Sequence, residues 1–349
     1  MVRSFDLTEP GVLPSTGRDR VERRRQPRRG RAKNELDGWI ILDKPVGLTS
    51  TQALGAVKRL FSPAKAGHAG TLDPLASGLL PLALGEATKT VPYVVDGAKR
   101  YRFTVRWGAA TDTDDADGAV TATSDVRPTP EALEGALPAF VGEVAQVPPR
   151  YSAVKVAGQR AYDLAREGEQ VELAARIVTI TRLAVVGTPG RDEATLEADC
   201  GKGTYVRAVA RDLGLVLGTH AHVTALRRTR VGPFDEADMV TLEALGSRSE
   251  DLQSVLDEVL RDPSEALAEL PTLLVDRTVA ARLRRGQAAL LRPGDAPEGT
   301  VRATTGRDLI ALCHAEAGEL RPMRVFRAPR RRLVHGPNRP AAEGGDRAD

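Results

Sequence analysis

Residues 67–80 read GHAGTLDPLASGLL, and this stretch decides how the rest of the chain is interpreted. It holds one carboxylate, Asp73, among glycines and other small residues that let the backbone bend sharply and a ligand come close. Pro74 biases Asp73 away from helical geometry, and the apolar run 79–84 predicts a buried strand. The sequence therefore predicts an acid on a firmly mounted loop. It acts either as a nucleophile or acid/base group or, like most loop aspartates, only shapes a turn.

Composition excludes several classes of protein. The 349 residues are 41% hydrophobic, which allows two domains or one large domain with appendages. Cys200 and Cys313 have no CxxC partner, which rules out a disulfide framework and fits a reducing cytosol. His220 and His222 lie near no cysteine pair, so no metal site is expected. No apolar run reaches the ~18 residues of a membrane span, and the charged N-terminus is no signal peptide. We expect a cytoplasmic protein without membrane contact.

The distribution of charge is more informative than the net charge of +3. Residues 1–35 combine proline, glycine and few apolar residues with a dense run of basic side chains, which are Arg18, Arg20, Arg23, Arg24, Arg25, Arg28, Arg29, Arg31 and Lys33. Such a segment should be disordered. It either binds phosphates non-specifically or is a solvated tail.

Predicted strands and helices flank the Asp73 loop. Residues 38–47 read as a strand running into a turn that contains Lys44, and Thr49 or Ser50 can cap the helix that follows. Residues 99–108 alternate between an apolar row, which begins at Tyr101, and a largely basic row. From the pattern alone, Lys44 is equally well explained as a solvated lysine, and Tyr101 as a core or strand-end tyrosine.

The rest of the chain gives further elements and two exclusions. The Thr-Asp-rich segment 111–118 fails as a calcium loop, since Ser124 stands where a bidentate glutamate is needed, and reads as an acidic turn. The segment 201–204 lacks phosphate-loop spacing. The predicted elements are a helix from Thr129, paired strands 177–186 and 194–200 around a Gly-Thr-Pro-Gly turn, a helix from Val206, a basic strand 221–234 and acidic helices in 236–270.

Four ordered motifs resemble the TruB family of tRNA pseudouridine synthases. Residues 67–80 with the following LGEATK of 84–89 are similar to the family's catalytic motif, although members more often carry threonine at position 69. The likeness covers roughly residues 36–270. The other three motifs are KRY at 99–101, KGTYVR at 202–207 and LRRT at 226–229.

The resemblance implies a fold and a domain order. The fold is the α+β pseudouridine synthase fold, a mixed and largely antiparallel sheet with a central cleft, over residues 36–270. The segment of about 146–170 resembles the family's thumb insertion, and its proline, tyrosine and basic residues suit a mobile element that contacts RNA. Residues 271–327, with a predicted helix that ends near residue 284 and short strands up to 326, fit a small C-terminal PUA-like RNA-binding domain. Residues 328–349 should be a disordered tail.

The resemblance also implies the roles of seven residues. Asp73 is the nucleophile, Arg207 is its ion-pair partner, and Tyr101 stacks against the target uracil. His68 helps to hold the flipped-out arrangement. Lys44 lies near the active site, and Tyr205 and Leu226 line the pocket. Whether Asp73 attacks uracil C6 or ribose C1′ is open, and the C5 proton goes to Tyr101 or to a neighbouring water.

The activity so implied is isomerisation of uridine 55 in the tRNA T-loop after base flipping. It requires no metal, nucleotide or organic cofactor. The partner is the T-arm of tRNA, and the protein is expected to be a monomer without an obligate protein partner. Three alternatives remain. A glycosidase would need a second carboxylate such as Asp43 beside Asp73; the others are a non-catalytic tRNA-folding factor and a structural subunit of a guide-RNA particle.

Overall fold

The computed structural model describes residues 33–331 and 333, except 153, 157–158, 161–172, 249, 293 and 295–296. The side chains of residues 155, 156, 159 and 160 are also not described. The predictions for the arginine-rich segment, for most of the thumb insertion and for the end of the chain therefore lie outside the described residues. The rest contains two sheets with their helices and two small hairpins.

The strands are numbered in chain order. They are β1 (Gly38–Lys44), β2 (Ala66–His68), β3 (Ala76–Leu84), β4 (Lys99–Trp107), β5 (Ala109–Thr111), β6 (Val120–Thr123), β7 (Gly142–Gln146), β8 (Lys155–Val156), β9 (Gln159–Arg160), β10 (Arg176–Gly190), β11 (Glu193–Cys200), β12 (Ala221–Val231), β13 (Val240–Thr241), β14 (Thr272–Leu274), β15 (Ala289–Leu290), β16 (Gly299–Thr305), β17 (Asp308–Glu316) and β18 (Glu319–Val325).

The described helices are numbered in the same way. They are α1 (Ser50–Phe61), α2 (Val91–Asp96), α3 (Pro130–Ala136), α4 (Val206–Val216), α5 (Leu242–Ser247), α6 (Leu252–Val259) and α7 (Arg277–Arg284). Short 3-10 turns occupy Gly85–Lys89, Leu137–Phe140, Glu236–Asp238 and Glu265–Leu267.

The main sheet is mixed and mostly antiparallel, as predicted. Its strands lie in the order β13-β1-β3-β12-β4-β11-β10-β7, with β2 paired to β3. Among these strands the pairing is parallel only between β1 and β13 and between β3 and β12. The strand that follows Asp73 is therefore central, beside β12 and one strand away from β4.

The helix after β1 forms as predicted and fastens the Asp73 loop. Thr49 caps α1 in a capping box with Gln52. Ala53, Val57 and Phe61 share its buried face. The first helical residue, Ser50, is buried, and its hydroxyl accepts from the Leu72 backbone N–H at 2.8 Å. The start of α1 therefore fixes the residue immediately before Asp73.

The predicted alternation of β4 is confirmed, but its basic face is neutralised. Phe103, Val105 and Trp107 are buried in the core. On the opposite face, arginines of β4 meet carboxylates of β11, in the pairs Arg100–Asp199 at 2.6 Å, Arg102–Glu197 at 3.2 Å and Arg106–Glu193 at 3.8 Å. This face therefore carries a row of ion pairs, and opposite charges on adjacent strands stabilise a sheet.

The turn predicted between the strands of the long hairpin is misplaced. Residues 187–190 lie inside β10, and the chain turns at Arg191 and Asp192. The pairing of β10 with β11 shifts register at Gly187 and again before Gly190. Such irregularities tolerate a proline that could not take part in a regular ladder, so Gly-Thr-Pro-Gly continues the strand.

The C-terminal residues build a second sheet around one helix. Its strands lie in the order β14-β16-β17-β18-β15. Ala280 and Leu283 of α7 are buried with Val301, Ile310 and Leu320 of the sheet. The predicted end of the helix near residue 284 and the short strands up to Val325 are confirmed.

After β18 the chain returns to the first sheet. The backbone N–H groups of Arg327 and Arg330 donate to the buried carboxylates of Glu86 at 3.0 Å and Asp37 at 2.9 Å. The Asp37 N–H donates in turn to the Arg330 carbonyl at 2.7 Å. The chain therefore remains hydrogen-bonded to the first sheet as far as Arg330, whereas the sequence predicts that a disordered tail begins at residue 328.

Glu86 makes this connection sensitive to acid. Burial works against ionisation of Glu86, but hydrogen bonds from Lys89 and the Arg327 backbone, with the charges of both residues, hold its pKa below the usual 4.5. A carboxyl whose pKa is lower in the folded chain stabilises the fold above its unfolded pKa, and this contribution is lost as the pH falls through the folded value.

We expect Glu86→Gln to lower the free energy of unfolding at neutral pH by about 1–3 kcal/mol, because it removes a charged acceptor of buried hydrogen bonds. The variant should also lose less stability than wild type as the pH falls below about 4.5. Urea denaturation at several pH values measures both effects. Glu258→Gln, which removes an exposed partner of Arg248, should change little. Identical acid dependence in Glu86→Gln and wild type would contradict the assignment.

Candidate active site

The Asp73 loop is held on both sides of the acid. The Gly47 N–H donates to the Pro74 carbonyl at 2.8 Å, and the Ala76 N–H to the Asp73 carbonyl at 3.1 Å. Gly70 has a φ of +85°, a backbone conformation that side chains disfavour. The small residues of the motif thus permit a sharply bent and well-bonded loop, as predicted.

Asp73 forms an ion pair with Arg207. Oδ2 of Asp73 lies 2.9 Å from Nη2 of Arg207, which is the second residue of α4. The side chain of Asp73 is 41% exposed, whereas that of Arg207 is only 5% exposed. The carboxylate is therefore open to a ligand while its counter-charge is buried behind it.

The other contacts of Arg207 go to two different segments. Nη1 donates to the Thr113 carbonyl at 2.7 Å, and Nη2 donates to the Tyr151 carbonyl at 2.8 Å. Nη1 also lies 3.3 Å from Oδ2 of Asp115. The contact between the guanidinium and Asp73 is therefore not bidentate. The guanidinium links the acid to the Thr-Asp-rich loop and to the first residues of the predicted thumb segment.

Asp115 is a second, buried carboxylate at the site that was not predicted. It is 4% exposed and accepts from the Thr113 hydroxyl at 2.6 Å and from the Asp117 N–H at 3.1 Å. From its sequence pattern, the segment 111–118 is predicted only to be an acidic turn. A signal was present, because four aspartates in one short loop require cations from elsewhere in the fold.

Arg211, one helical turn after Arg207, binds the same two segments. Nη1 donates to Asp114 at 3.0 Å, and Nη2 donates to the Val147 carbonyl at 2.8 Å. Burial raises the pKa of Asp114, although the charges of Arg211 and Arg207 oppose this shift. The two arginines of α4 therefore fasten the acidic loop against the first residues of the thumb segment.

Five of the seven predicted site residues line one cavity of about 280 Å³. They are Asp73, Tyr101, Tyr205, Arg207 and Leu226. A neighbouring cavity of about 480 Å³ is lined by Asp73 and Arg207 from its own side, together with the acidic loop and Tyr151. The Asp73–Arg207 pair therefore lies where the two cavities meet.

The two tyrosines of the cavity stay protonated at neutral pH. Burial raises the pKa of Tyr101, while the charge of Arg228 and a hydrogen bond from it work in the opposite direction. Burial also raises the pKa of Tyr205. The backbone of Tyr205 is clamped by the buried amide of Gln146, which accepts from its N–H at 2.8 Å and donates to its carbonyl at 3.1 Å.

Lys44 and His68 lie outside the lining of these cavities. Lys44 is fully buried and donates to the carbonyls of Pro45 at 2.9 Å and Leu48 at 2.7 Å. Burial lowers the pKa of Lys44 to about 8, against an opposing effect of the Asp73 charge. Burial and the charge of Arg228 lower the pKa of His68, so its ring is neutral at pH 7.

Arg228 and Lys99 also line the cavity and were not predicted. Both could have been found from strand alternation. Arg228 lies two residues after Leu226 on β12, and Lys99 two residues before Tyr101 on β4, so each shares a face with a predicted site residue. Lys99 donates to the carbonyls of Val95 and of Gly97, the latter at 2.6 Å.

The structure also bears on two other kinds of site, a glycosidase centre and a metal centre. Asp43, the second carboxylate of the glycosidase alternative, accepts hydrogen bonds from both terminal nitrogens of Arg227, each at 3.0 Å. Within the described ranges there is no group of three or more metal-binding side chains. In the same part of the chain no helix combines the length and the apolar character needed to cross a membrane.

Two sequence models of protein families match the chain. Residues 58–206 match the TruB family pseudouridylate synthase N-terminal domain, and residues 207–268 match the tRNA pseudouridylate synthase B C-terminal domain. The two matches meet between Val206 and Arg207, within the first turn of α4.

Curated relatives match most of the chain. A tRNA pseudouridine synthase B of Bradyrhizobium diazoefficiens is 56% identical over 323 residues, which are 91% of this chain and 93% of the relative. One of Caulobacter vibrioides is 53% identical over 83% of this chain and 96% of the relative.

The fold is also found among solved structures. A chain of an H/ACA RNP bound to a substrate RNA containing 2′-deoxyuridine aligns with a TM-score of 0.65 and 24% identity, covering 83% of this chain and 85% of that one. The predicted fold is therefore confirmed. By its sequence, its fold and the geometry around Asp73, this chain belongs to the TruB family of pseudouridine synthases.

Proposed function

We propose that this protein is a tRNA pseudouridine synthase that isomerises uridine 55 in the T-loop. The observation that carries the proposal is the half-exposed Asp73, backed by a buried arginine, in a cavity with two tyrosines. Relatives that are 50–57% identical and bear the name tRNA pseudouridine synthase B support it. The decisive assay incubates the pure protein with unmodified tRNA and measures pseudouridine at position 55.

The reaction begins with extrusion of the target nucleotide, because a base inside a stack cannot reach a cavity in a protein. In our proposal the base enters the cavity between Asp73, Tyr101 and Leu226. Tyr101 stacks on the uracil ring, and Leu226 and Tyr205 form the walls. His68, whose ring is neutral, helps to keep the nucleotide out of its stack. Lys44 lies near the site, and the charge of Asp73 acts on its ammonium group.

The chemistry then needs one nucleophile. Ionised Asp73 attacks the nucleotide, the bond between N1 and C1′ breaks, and its electron pair remains with the base. The base turns within the cavity and C5 bonds to C1′. The proton on C5 leaves to a neighbouring water, or to the Tyr101 oxygen as the phenol passes its own proton on to water, and N1 takes up a proton. Release of Asp73 completes an isomerisation in which no atom is gained or lost.

Arg207 makes Asp73 effective in this scheme. Its guanidinium supplies a buried counter-charge and holds one carboxylate oxygen, so the other is available for attack. Because the same guanidinium bonds to the acidic loop and to Tyr151, its position is fixed before the RNA arrives. Preorganisation of this kind lowers a barrier without reorganisation during the reaction.

For the domains, we propose a catalytic unit over residues 36–270 and an RNA-binding module over 271–327. The module's surface along α7 and the segment that follows it supports the second assignment. It exposes Arg277, Arg284, Arg285 and Arg292, and none of these pairs with a carboxylate within the described part of the chain. Unpaired surface arginines suit the phosphates of RNA.

We further propose that the enzyme acts in the cytoplasm as a monomer without an obligate protein partner. The support is that nucleophile, arginine and tyrosines meet in one cavity of one chain. Turnover by the pure protein, at concentrations where size-exclusion chromatography gives the mass of one chain, tests this.

The first prediction concerns the nucleophile. Asp73→Asn should bind tRNA as wild type does and lose at least about 10³-fold in turnover, since the change removes the attacking oxygen but almost no volume. Single-turnover formation of pseudouridine and a filter-binding titration measure the two quantities. Asp192→Asn, which alters an exposed ion pair with Arg127, is the control. A rate within about tenfold of wild type would overturn the role of Asp73. The activity of a non-catalytic tRNA-folding factor would not depend on the Asp73 carboxylate.

The second prediction concerns the arginine fork. Arg207→Lys should fold, bind tRNA nearly normally and react at least about 10²-fold more slowly, because an ammonium supplies charge but cannot hold Asp73, Thr113 and Tyr151 together. The measurement is the single-turnover rate with tRNA above its dissociation constant. The matched control is Arg211→Lys, one turn along α4, which leaves the contact to Asp73 intact. Equal rates for the two lysine variants would contradict the proposed role.

The third prediction concerns the C-terminal module. Replacing Arg284 and Arg285 by alanine should weaken tRNA binding, leave the rate at saturation unchanged, and reduce the salt dependence of binding by about one unit for each lost phosphate contact. Binding titrations at several salt concentrations give the slope. The Arg248→Ala variant serves as control, since that exposed arginine is already paired with Glu258. An unaltered slope would remove the patch from the RNA-binding surface.

A further inference from the structure

Arg228 is buried at the centre of the sheet, directly beneath the cavity. It is 1% exposed, and its Cα pairs with Gly78 of β3 on one side and with Tyr101 of β4 on the other. Directly paired residues of neighbouring strands point to the same face of a sheet. Arg228 therefore extends on the side of Tyr101, whereas Arg227 extends to the opposite face and pairs there with Asp43 and Glu236.

The guanidinium of Arg228 bonds to the main chain on both sides of Asp73. Nε donates to the Leu79 carbonyl at 2.8 Å, and Nη2 donates to the Gly70 carbonyl at 3.0 Å. A weaker contact joins Nη1 and the Thr71 carbonyl at 3.5 Å. One side chain thus ties the start of the Asp73 loop to the strand that follows it, which no single-point donor could do in the same geometry.

The charge of Arg228 is not neutralised locally. Over the described ranges no carboxylate lies within 4.0 Å of its guanidinium, in contrast to Arg207 and Arg227. A buried cation without a carboxylate partner is costly. Its charge acts on the cavity instead. It adds to the burial that lowers the pKa of Lys44 and of His68, and it works against the burial that raises the pKa of Tyr101.

The loop is shaped around this side chain. A Cβ on Gly70 would lie 3.2 Å from Nη1 of Arg228, and its φ of +85° also favours glycine. A Cβ on Gly78 would clash with the Arg228 carbonyl at 2.3 Å. Two glycines of the catalytic motif are thus required by the backbone and the guanidinium of one arginine on β12.

We propose that Arg228 is a positioning residue for the isomerisation, whose guanidinium sets the Asp73 loop and the Tyr101 side of the cavity in one fixed geometry. This inference rests on the proposed function and adds a residue to it. Arg228 acts through Asp73 and Tyr101 and takes no part in bond formation. A displaced loop would move the nucleophile relative to the bound base, and a shift of about 1 Å is enough to cost about 10²-fold in rate.

The experiment compares Arg228→Lys with Arg227→Gln in the full-length protein on unmodified tRNA. We expect Arg228→Lys to keep the wild-type melting temperature, bind tRNA with a dissociation constant within about threefold of wild type, and lose about 10²-fold in single-turnover rate. Arg227→Gln removes a charge from the same strand on the other face and should stay within about threefold of the wild-type rate.

Gly70→Ala tests the same contact from the loop, and remains informative if Arg228→Lys does not fold. Its new methyl group meets the guanidinium, so the rate should fall while binding is kept. Gly142→Ala is the matched control, because Gly142 has a φ of +101° but open space around its Cβ position. A loss in rate confined to Arg228→Lys and Gly70→Ala supports the inference.

Two results would overturn it. One is a rate for folded Arg228→Lys that equals that of Arg227→Gln, or, if Arg228→Lys does not fold, a rate for Gly70→Ala that equals that of Gly142→Ala. The other is a loss that is fully explained by weaker tRNA binding or a smaller folded fraction, which is what a merely structural role would produce. Wild-type protein on the same tRNA distinguishes failure of the proposed function from failure of the proposed role of Arg228. Without pseudouridine there, the proposed function itself fails.

Discussion

A guanidinium withdrawn from water must find acceptors for its donors, and the candidate active site depends on how Arg207 meets this requirement. Its acceptors come from Asp73, from the acidic loop at Thr113 and Asp115, and from Tyr151 in the first part of the thumb segment. Each partner alone would leave buried donors unsatisfied, at a cost of about 1–3 kcal/mol or more per group. The three segments are therefore fixed together, and the nucleophile is oriented as one consequence.

The sheet supplies the frame for this arrangement. The parallel pairing of β3 with β12 brings the strand that follows Asp73 beside the strand that carries Leu226 and Arg228. Its antiparallel neighbour β4 adds Tyr101 at the same level as Arg228. The opposite face of β4 is closed by ion pairs with β11. One face of the sheet thus lines the cavity, and on the other face ion pairs hold neighbouring strands together.

The same principle joins the two sheets. Buried Asp37 and Glu86 accept backbone N–H groups of the chain that returns after β18. Carboxylates removed from water are stable only when such donors are provided. The module that we propose to bind RNA is thereby attached to the strands around the cavity, and the lowered pKa of Glu86 makes this attachment sensitive to acid.

The sequence by itself determined the local features. The alternation of β4, the Thr49 cap of α1, the end of α7 and the bend around Asp73 follow from short-range patterns that act within a few residues. The motif at 67–80 was also enough to indicate the family. The turn at 187–190 was misplaced, because the bulges that carry β10 through Pro189 depend on the partner strand.

Only the tertiary structure decided which charged residues contact partners that are distant in the sequence. Asp115 looked like part of a solvated turn, and Arg228 like one more basic residue of a strand. Each acquired its place at the site from partners more than ninety residues away in sequence, Arg207 for Asp115 and the Asp73 loop for Arg228. Burial fixes such pairings, since the cost of an unsatisfied charge or donor arises only after the chain has folded around it.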